Sequence, residues 1–176
     1  MVLTRTIGTT FPKIMTVTYD GFYINDNKIG GTSTWKREMI GDGIALHPKT
    51  TFTMTNMTLT TKEGTYTRNG DRIREMIAGF STRTSPTDDV FSTHGSFTTT
   101  HSSGHTFTSM INADTPLINK TACGLIQIPM PFPVSGILKL SKNSHSVTID
   151  YGNGECDNLA MLAIDGGTAV QITLKD

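Results

Sequence analysis

Apolar and polar residues alternate along most of this chain with a period of two, the pattern of strands that bury one face and wet the other. In the C-terminal half, Val147, Ile149 and Tyr151 are separated by Thr148 and Asp150. Similar alternation predicts strands over residues 13–19, 28–38, 51–60, 71–80, 90–100, 104–112, 134–141, 145–151, 159–165 and 168–174. Their spacing of roughly 8 to 12 residues is that of an antiparallel meander. Turns are predicted at Asp20-Gly21, Gly30-Gly31, Gly41-Asp42-Gly43, Glu63-Gly64, Asn69-Gly70, Ser103-Gly104 and Asp165-Gly166-Gly167, where Gly, Asn and Asp tolerate positive φ. No stretch has the period of a long amphipathic helix.

Two segments break the alternation. In residues 51–60, Phe52 and Met54 are in phase, but Met57 and Leu59 are shifted by one. One extra residue at Asn56-Met57 restores a common face, so a β-bulge is expected there. The run Pro129-Met130-Pro131-Phe132-Pro133 removes three backbone donors. It must be an edge strand or an extended connection, because a central ladder needs those donors.

Composition reinforces the strand reading. Roughly one residue in six is Thr, whose branched Cβ suits pleated surfaces and disfavours helices. A chain of 176 residues fits one domain and buries about two-thirds of its unfolded surface or more. Fifteen basic and fifteen acidic residues cancel, so the electrostatic footprint of a nucleic-acid binder is missing. No run reaches the ~18 apolar residues of a transmembrane helix. The expected architecture is an all-β, mainly antiparallel single domain, either a sandwich or an open barrel-like meander.

The spelling Asp150-Tyr151-Gly152-Asn153-Gly154-Glu155-Cys156-Asp157-Asn158 is the least generic in the chain. With Thr87-Asp88-Asp89-Val90-Phe91 and Pro116-Leu117 upstream, it resembles a family of exported lipoproteins of unassigned function from Bacteroidetes, whose C-terminal half carries a D-x-G-x-G-x-C-D-N segment. The resemblance implies a cell-envelope or secreted protein. It also implies a leader, with a lipid anchor, that this sequence lacks: Met1-Val2-Leu3-Thr4-Arg5-Thr6 has neither an apolar core nor a cysteine. The spacing from Cys123 to Ser135-Gly136 is longer than the family's. Export makes Cys123 and Cys156 candidates for a disulfide, since both lie at the edges of polar or Gly-containing turns.

Candidate chemistry is sparse. Asp150, Asn153, Glu155 and Asp157 form an oxygen-rich loop with Gly at its bends, which suits calcium, although the spacing is not that of an EF-hand. The same residues also build ordinary turns, because Asp and Asn side chains bond their own backbone. His101 and His105 flank Ser102-Ser103-Gly104, a predicted three-residue hairpin turn that could hold zinc with His94 as a third ligand. Asp88 and Asp89 are expected to open a strand and point to opposite faces, which prevents their converging on one substrate atom. One of them is expected to accept backbone hydrogen bonds in the turn after Pro86.

Nucleophile elbows, C-x-x-C pairs, phosphate loops and H-E-x-x-H helices are all missing from the sequence. No catalytic residue and no cofactor is therefore expected. The pairs Thr16/Thr18, Thr32/Thr34, Thr53/Thr55, Thr58/Thr60 and Thr98/Thr100 could suit ice binding in a solenoid, but no coil repeat accompanies them. The sequence is read as a non-catalytic envelope or surface protein that binds a glycan, peptide or apolar ligand, or is structural. A metal-binding β module and an unrecognised hydrolase are the alternatives.

Overall fold

The alternating segments join into one antiparallel sheet that runs through nearly the whole chain. The structure, a computed structural model, describes residues 1–5, 9–82, 84–126 and 132–174. Its strands are β1 (Val2–Arg5), β2 (Lys13–Ile24), β3 (Asn27–Ile40), β4 (His47–Thr61), β5 (Gly64–Ala78), β6 (Val90–His101), β7 (Thr106–Ile111), β8 (Leu117–Lys120), β9 (Ser135–Lys142), β10 (His145–Asn153), β11 (Leu159–Ile164) and β12 (Val170–Thr173). One helical turn and a half, α1 (Thr121–Ile126), follows β8. The order is β1-β2-β3-β4-β5-β6-β7-β9-β10-β11-β12, with β8 beside β6 and β9. β7 and β8 divide one edge of β6: β7 pairs with Gly95–Thr100, β8 with Val90–Thr93.

The expected all-β, antiparallel class is therefore observed, as one continuous sheet rather than two packed ones. Short β1 and β8 are not predicted because Val2-Leu3 and Leu117-Ile118 are adjacent apolar pairs without alternation, unlike Val170 and Ile172 of the equally short β12. Residues 129–131 of the proline-rich run lie outside the described residues.

Register places the apolar positions on one face. Met15, Trp35, Phe52, Arg72, Gly95 and Ile111 form a row across β2 to β7, and Val147 stands between Leu140 and Ile164 across β9 to β11. The buried strand residues Val17, Phe97, Ile111, Leu117 and Ala160 all belong to this face. The opposite face is threonine-rich, with rows Thr16–Thr34–Thr53 and Thr18–Thr32–Thr55. In each row the first two hydroxyls hydrogen-bond at 3.2 Å. This explains the Thr-x-Thr pairs as solvent-side sheet positions.

The apolar face is concave. Arg68 on β5 and Ile164 on β11 line one cavity, although five strand spacings in a flat sheet would separate them by about 24 Å. Bulges steer this curvature. The ladder shifts between Tyr19 and Phe22, between Gly30 and Thr32, and between Met54 and Met57. The last is the predicted bulge, with Asn56 at φ 46° and Phe52, Met54, Met57 and Leu59 on one face.

Three predicted turns are not turns. Asp20-Gly21, Gly30-Gly31 and Asn69-Gly70 lie within β2, β3 and β5. The glycines serve close strand approach instead: Gly31 has φ 95° and sits against the Asn56 carbonyl, and Gly70 has φ 131° against the Ser96 carbonyl. Asn69 accepts the Asn56 backbone N–H at 2.7 Å through its side-chain oxygen, replacing a ladder bond that the bulge removes.

Tight hairpins occupy one end of the sheet, and long connections the other. Cys123 on α1 is bridged to Cys156 in the β10–β11 connection, with Cα atoms 5.2 Å apart. The bridge ties that helix to the far half of the sheet.

Candidate ligand-binding face

The concave face carries two adjoining cavities near the hairpin end. One, of about 400 Å³, is lined by Phe97, Phe107, Leu140, Val147 and Ile164 together with Lys142 and His145. The other, of about 470 Å³, is lined by Ile29, Met54, Met57, Leu59 and Tyr66. Both volumes fall in the range of roughly 300 to 1,000 Å³ usual for small-molecule sites. Arg68 and Thr99 line both, so the two cavities are halves of one groove divided by these side chains.

Apolar groups here remain open to solvent. Leu59, Phe107, Leu140 and Ile164 keep 41%, 37%, 39% and 59% of their surface exposed. Trp35, Phe52 and Phe97 form the aromatic floor behind them, with ring centres 4.6 Å and 6.1 Å apart in succession.

The arginines and carboxylates of the strands are sorted between the faces, whereas Lys28, Lys36, Lys49 and Lys139 share the convex side with the carboxylates. From β3 to β11 the register puts Arg37, Arg68, Arg72, Arg74 and Lys142 on the concave side. The strand carboxylates Glu38, Asp71, Glu75 and Asp150 are on the convex side. The cations differ in how they are satisfied. Arg72 donates to the Gly95 carbonyl and to the Ser109 carbonyl and hydroxyl at 3.1 Å and 2.7 Å. Burial, and then the neighbouring charge of Arg68, lower its pKa, while Asp71 opposes the shift. Arg74 stacks on Phe91 at 4.1 Å and Lys142 on Phe107 at 4.8 Å.

Arg68 stacks on Phe97 at 4.5 Å, yet its buried Nε has no hydrogen-bond partner. Among the described residues it forms no ion pair.

The residues singled out from sequence lie elsewhere. Asp150 accepts the Gly152 N–H at 2.9 Å, Asn153 the Glu155 N–H at 3.4 Å, and Asp157 the Leu159 N–H at 3.1 Å. Each oxygen thus closes its own turn two residues on. Residues 150–154 do not form a tight turn but a bulge within β10, which runs on to pair Asn153 with Ser135. Gly152 and Gly154 have φ 92° and 105°. Glu155 follows in the connection to Cys156.

His101 and His105 flank the expected three-residue turn, joined by a backbone hydrogen bond of 2.8 Å. The His101 ring packs on Tyr66 at 4.6 Å, while His105 is exposed. His94 pairs with Ile73 on the convex face, remote from both. Among the described residues no three His, Cys, Asp or Glu side chains are placed to share a metal ion. Asp88 and Asp89 do not open a strand. Asp88 ends a 3-10 turn, Pro86–Asp88, and accepts the Thr82 hydroxyl at 2.5 Å rather than a backbone N–H.

The groove cations were missed because Asn69-Gly70 was read as a turn. With β5 kept continuous, Tyr66, Arg68, Gly70, Arg72, Arg74 and Met76 share one parity, and that phase was the available signal. Compared with protein-family models, with curated proteins and with solved structures, the chain matches none.

Proposed function

We propose that this protein is a non-catalytic envelope or surface protein that binds an apolar ligand on the concave face of its sheet. What carries the reading is uncovered apolar area. On the walls of the two cavities Leu59, Phe107, Leu140 and Ile164 keep between 37% and 59% of their surface exposed. Contiguous apolar surface left open in this way marks a binding site more often than a free surface. Of a glycan, a peptide and an apolar ligand, the last fits best, because the surface that both cavities present is mainly apolar, even though Ser and Thr residues also line the first. The disulfide and the resemblance to exported lipoproteins support an extracytoplasmic setting.

Nile red, a neutral dye that brightens in apolar surroundings, tests this. Wild type should bind it saturably near one equivalent. Leu140→Asp should abolish the signal with little change in melting temperature, because Leu140 is 39% exposed on the groove wall. Absence of saturable binding, or equal binding by a folded Leu140→Asp variant, would overturn the reading.

A further inference from the structure

We infer that the ligand of this groove is an acyl amphiphile with a single carboxylate head, and that Arg68 seats the head while the two cavities take the chain. The inference rests on the groove reading above and adds the chemistry of the occupant.

The argument starts from an imbalance. A guanidinium offers five N–H donors in a planar fork, and an unsatisfied buried donor is unfavourable, more so on a charged group. Arg72, four residues away on the same strand face, has three acceptors: the Gly95 carbonyl and the carbonyl and hydroxyl of Ser109. Arg68 has no such acceptor, and its Nε is buried. Phe97 stacks against the guanidinium at 4.5 Å, which holds its plane in place without using an N–H. A positioned cation with idle donors between two apolar chambers is half of an ion pair.

Its surroundings select the missing half. Neither cavity is lined by a carboxylate. Asp165, which approaches the rim, is held by His145 at 2.8 Å and by the Ser146 N–H at 2.6 Å. An anion would meet Arg68 with Lys142 on the same side, and no protein acid competes for it. Arginine matches a carboxylate bidentately. Among the described residues Arg68 is the one arginine that lines the two cavities, and Arg72 beside it is occupied, which favours a single carboxylate over a phosphate dianion that needs several donors. The remainder of the ligand must be apolar and long enough to use chambers on both sides of Arg68.

Competition against Nile red with palmitate, hexadecanol and hexadecyl phosphate tests the inference at about pH 8, where carboxylates are ionised. Wild type should release the dye at palmitate concentrations about tenfold or more below those of hexadecanol, the scale expected of a charge-assisted hydrogen-bonded pair. Arg68→Met should bring palmitate close to hexadecanol and leave hexadecanol unchanged. Arg68→Lys should keep part of the preference through its charge.

Equal displacement by palmitate and hexadecanol in wild type would overturn the head-group assignment and leave the apolar groove standing. A preference for hexadecyl phosphate over palmitate would overturn the carboxylate. Palmitate preference persisting in an Arg68→Met variant that melts like wild type would move the anion seat away from Arg68. Failure of all three to displace the dye would instead count against the groove reading. The wild-type comparison stands even if a variant fails to fold.

Discussion

Phe97 on β6 stands directly opposite Gly70 on β5, and its ring lies within 4.5 Å and 5.1 Å of the Arg68 and Arg72 guanidinium carbons. These arginines are the next residues on either side of Gly70 on the same face. Gly70 lets the backbones of β5 and β6 approach closely at Ser96 and Phe97, and the ring of Phe97, a residue 6% exposed, supports both cations.

Gly70→Ala should destabilise the protein by about 2 kcal/mol or more. The position has φ 131°, and a Cβ would run into the Ser96 carbonyl and the Phe97 backbone. Urea unfolding measures the loss; a shift of a few tenths of a kcal/mol would contradict the strand geometry.

Replacing both Cys123 and Cys156 with Ser should lower stability by about 3 to 4 kcal/mol, because the bridge closes a long loop in the unfolded chain. The separation is 33 residues. Denaturation of the variant should match that of reduced wild type, and the two should differ if the serines themselves disturb the packing.

His47 should make stability fall as pH rises above 6.5. Its Nδ1 faces the Ala45 carbonyl at 2.5 Å and its Nε2 the Glu75 carboxylate at 2.8 Å, two acceptors that favour the protonated ring. The Ala45 contact first, and then Glu75, raise its pKa above 6.5. A raised folded-state pKa gives stabilisation that is complete below 6.5 and is lost as pH rises through the higher folded value. The His47 and Glu75 side chains keep about a quarter of their surface exposed, 25% and 28%, so solvent screens the pair and the effect is small. Melting curves from about pH 5.5 to 9 should show the decline in wild type and a weaker one in His47→Gln.

Asp150→Ala should cost about 1 kcal/mol, the value of one side-chain bond to the Gly152 N–H. Asp150→Asn, which keeps an acceptor oxygen, should restore most of it. Calcium should leave the melting temperature of wild type and both variants unchanged. A calcium-dependent rise that Asp150→Ala abolishes would show that the loop is a cation site.

Local pattern made several features legible. Alternation at Val147, Ile149 and Tyr151 marks a strand because successive side chains on a pleat point to opposite faces, whatever the rest of the chain does. The phase slip between Met54 and Met57 identifies a bulge for the same reason. Asn69-Gly70 misled, because the backbone freedom that makes a turn also permits close contact between strands, and only the partner strand distinguishes them.

By itself, then, the sequence determined the all-β class, the apolar face of each strand, the bulge at Asn56 and the candidacy of Cys123 and Cys156 as partners. These depend on steric and solvation preferences acting over a few residues, or on the scarcity of one residue type. Only the tertiary structure decided that a single sheet curls until β5 and β11 share a cavity, that the arginines of β3 and β5 gather on its concave side, and that Arg72 finds acceptors while Arg68 does not. Those outcomes follow from twist and bulges accumulated across many paired strands, and from acceptors on β6 and β7 that are distant in sequence from β5. A neutral net charge and a period of two are compatible with either arrangement of those charges, so pairing and curvature had to select between them.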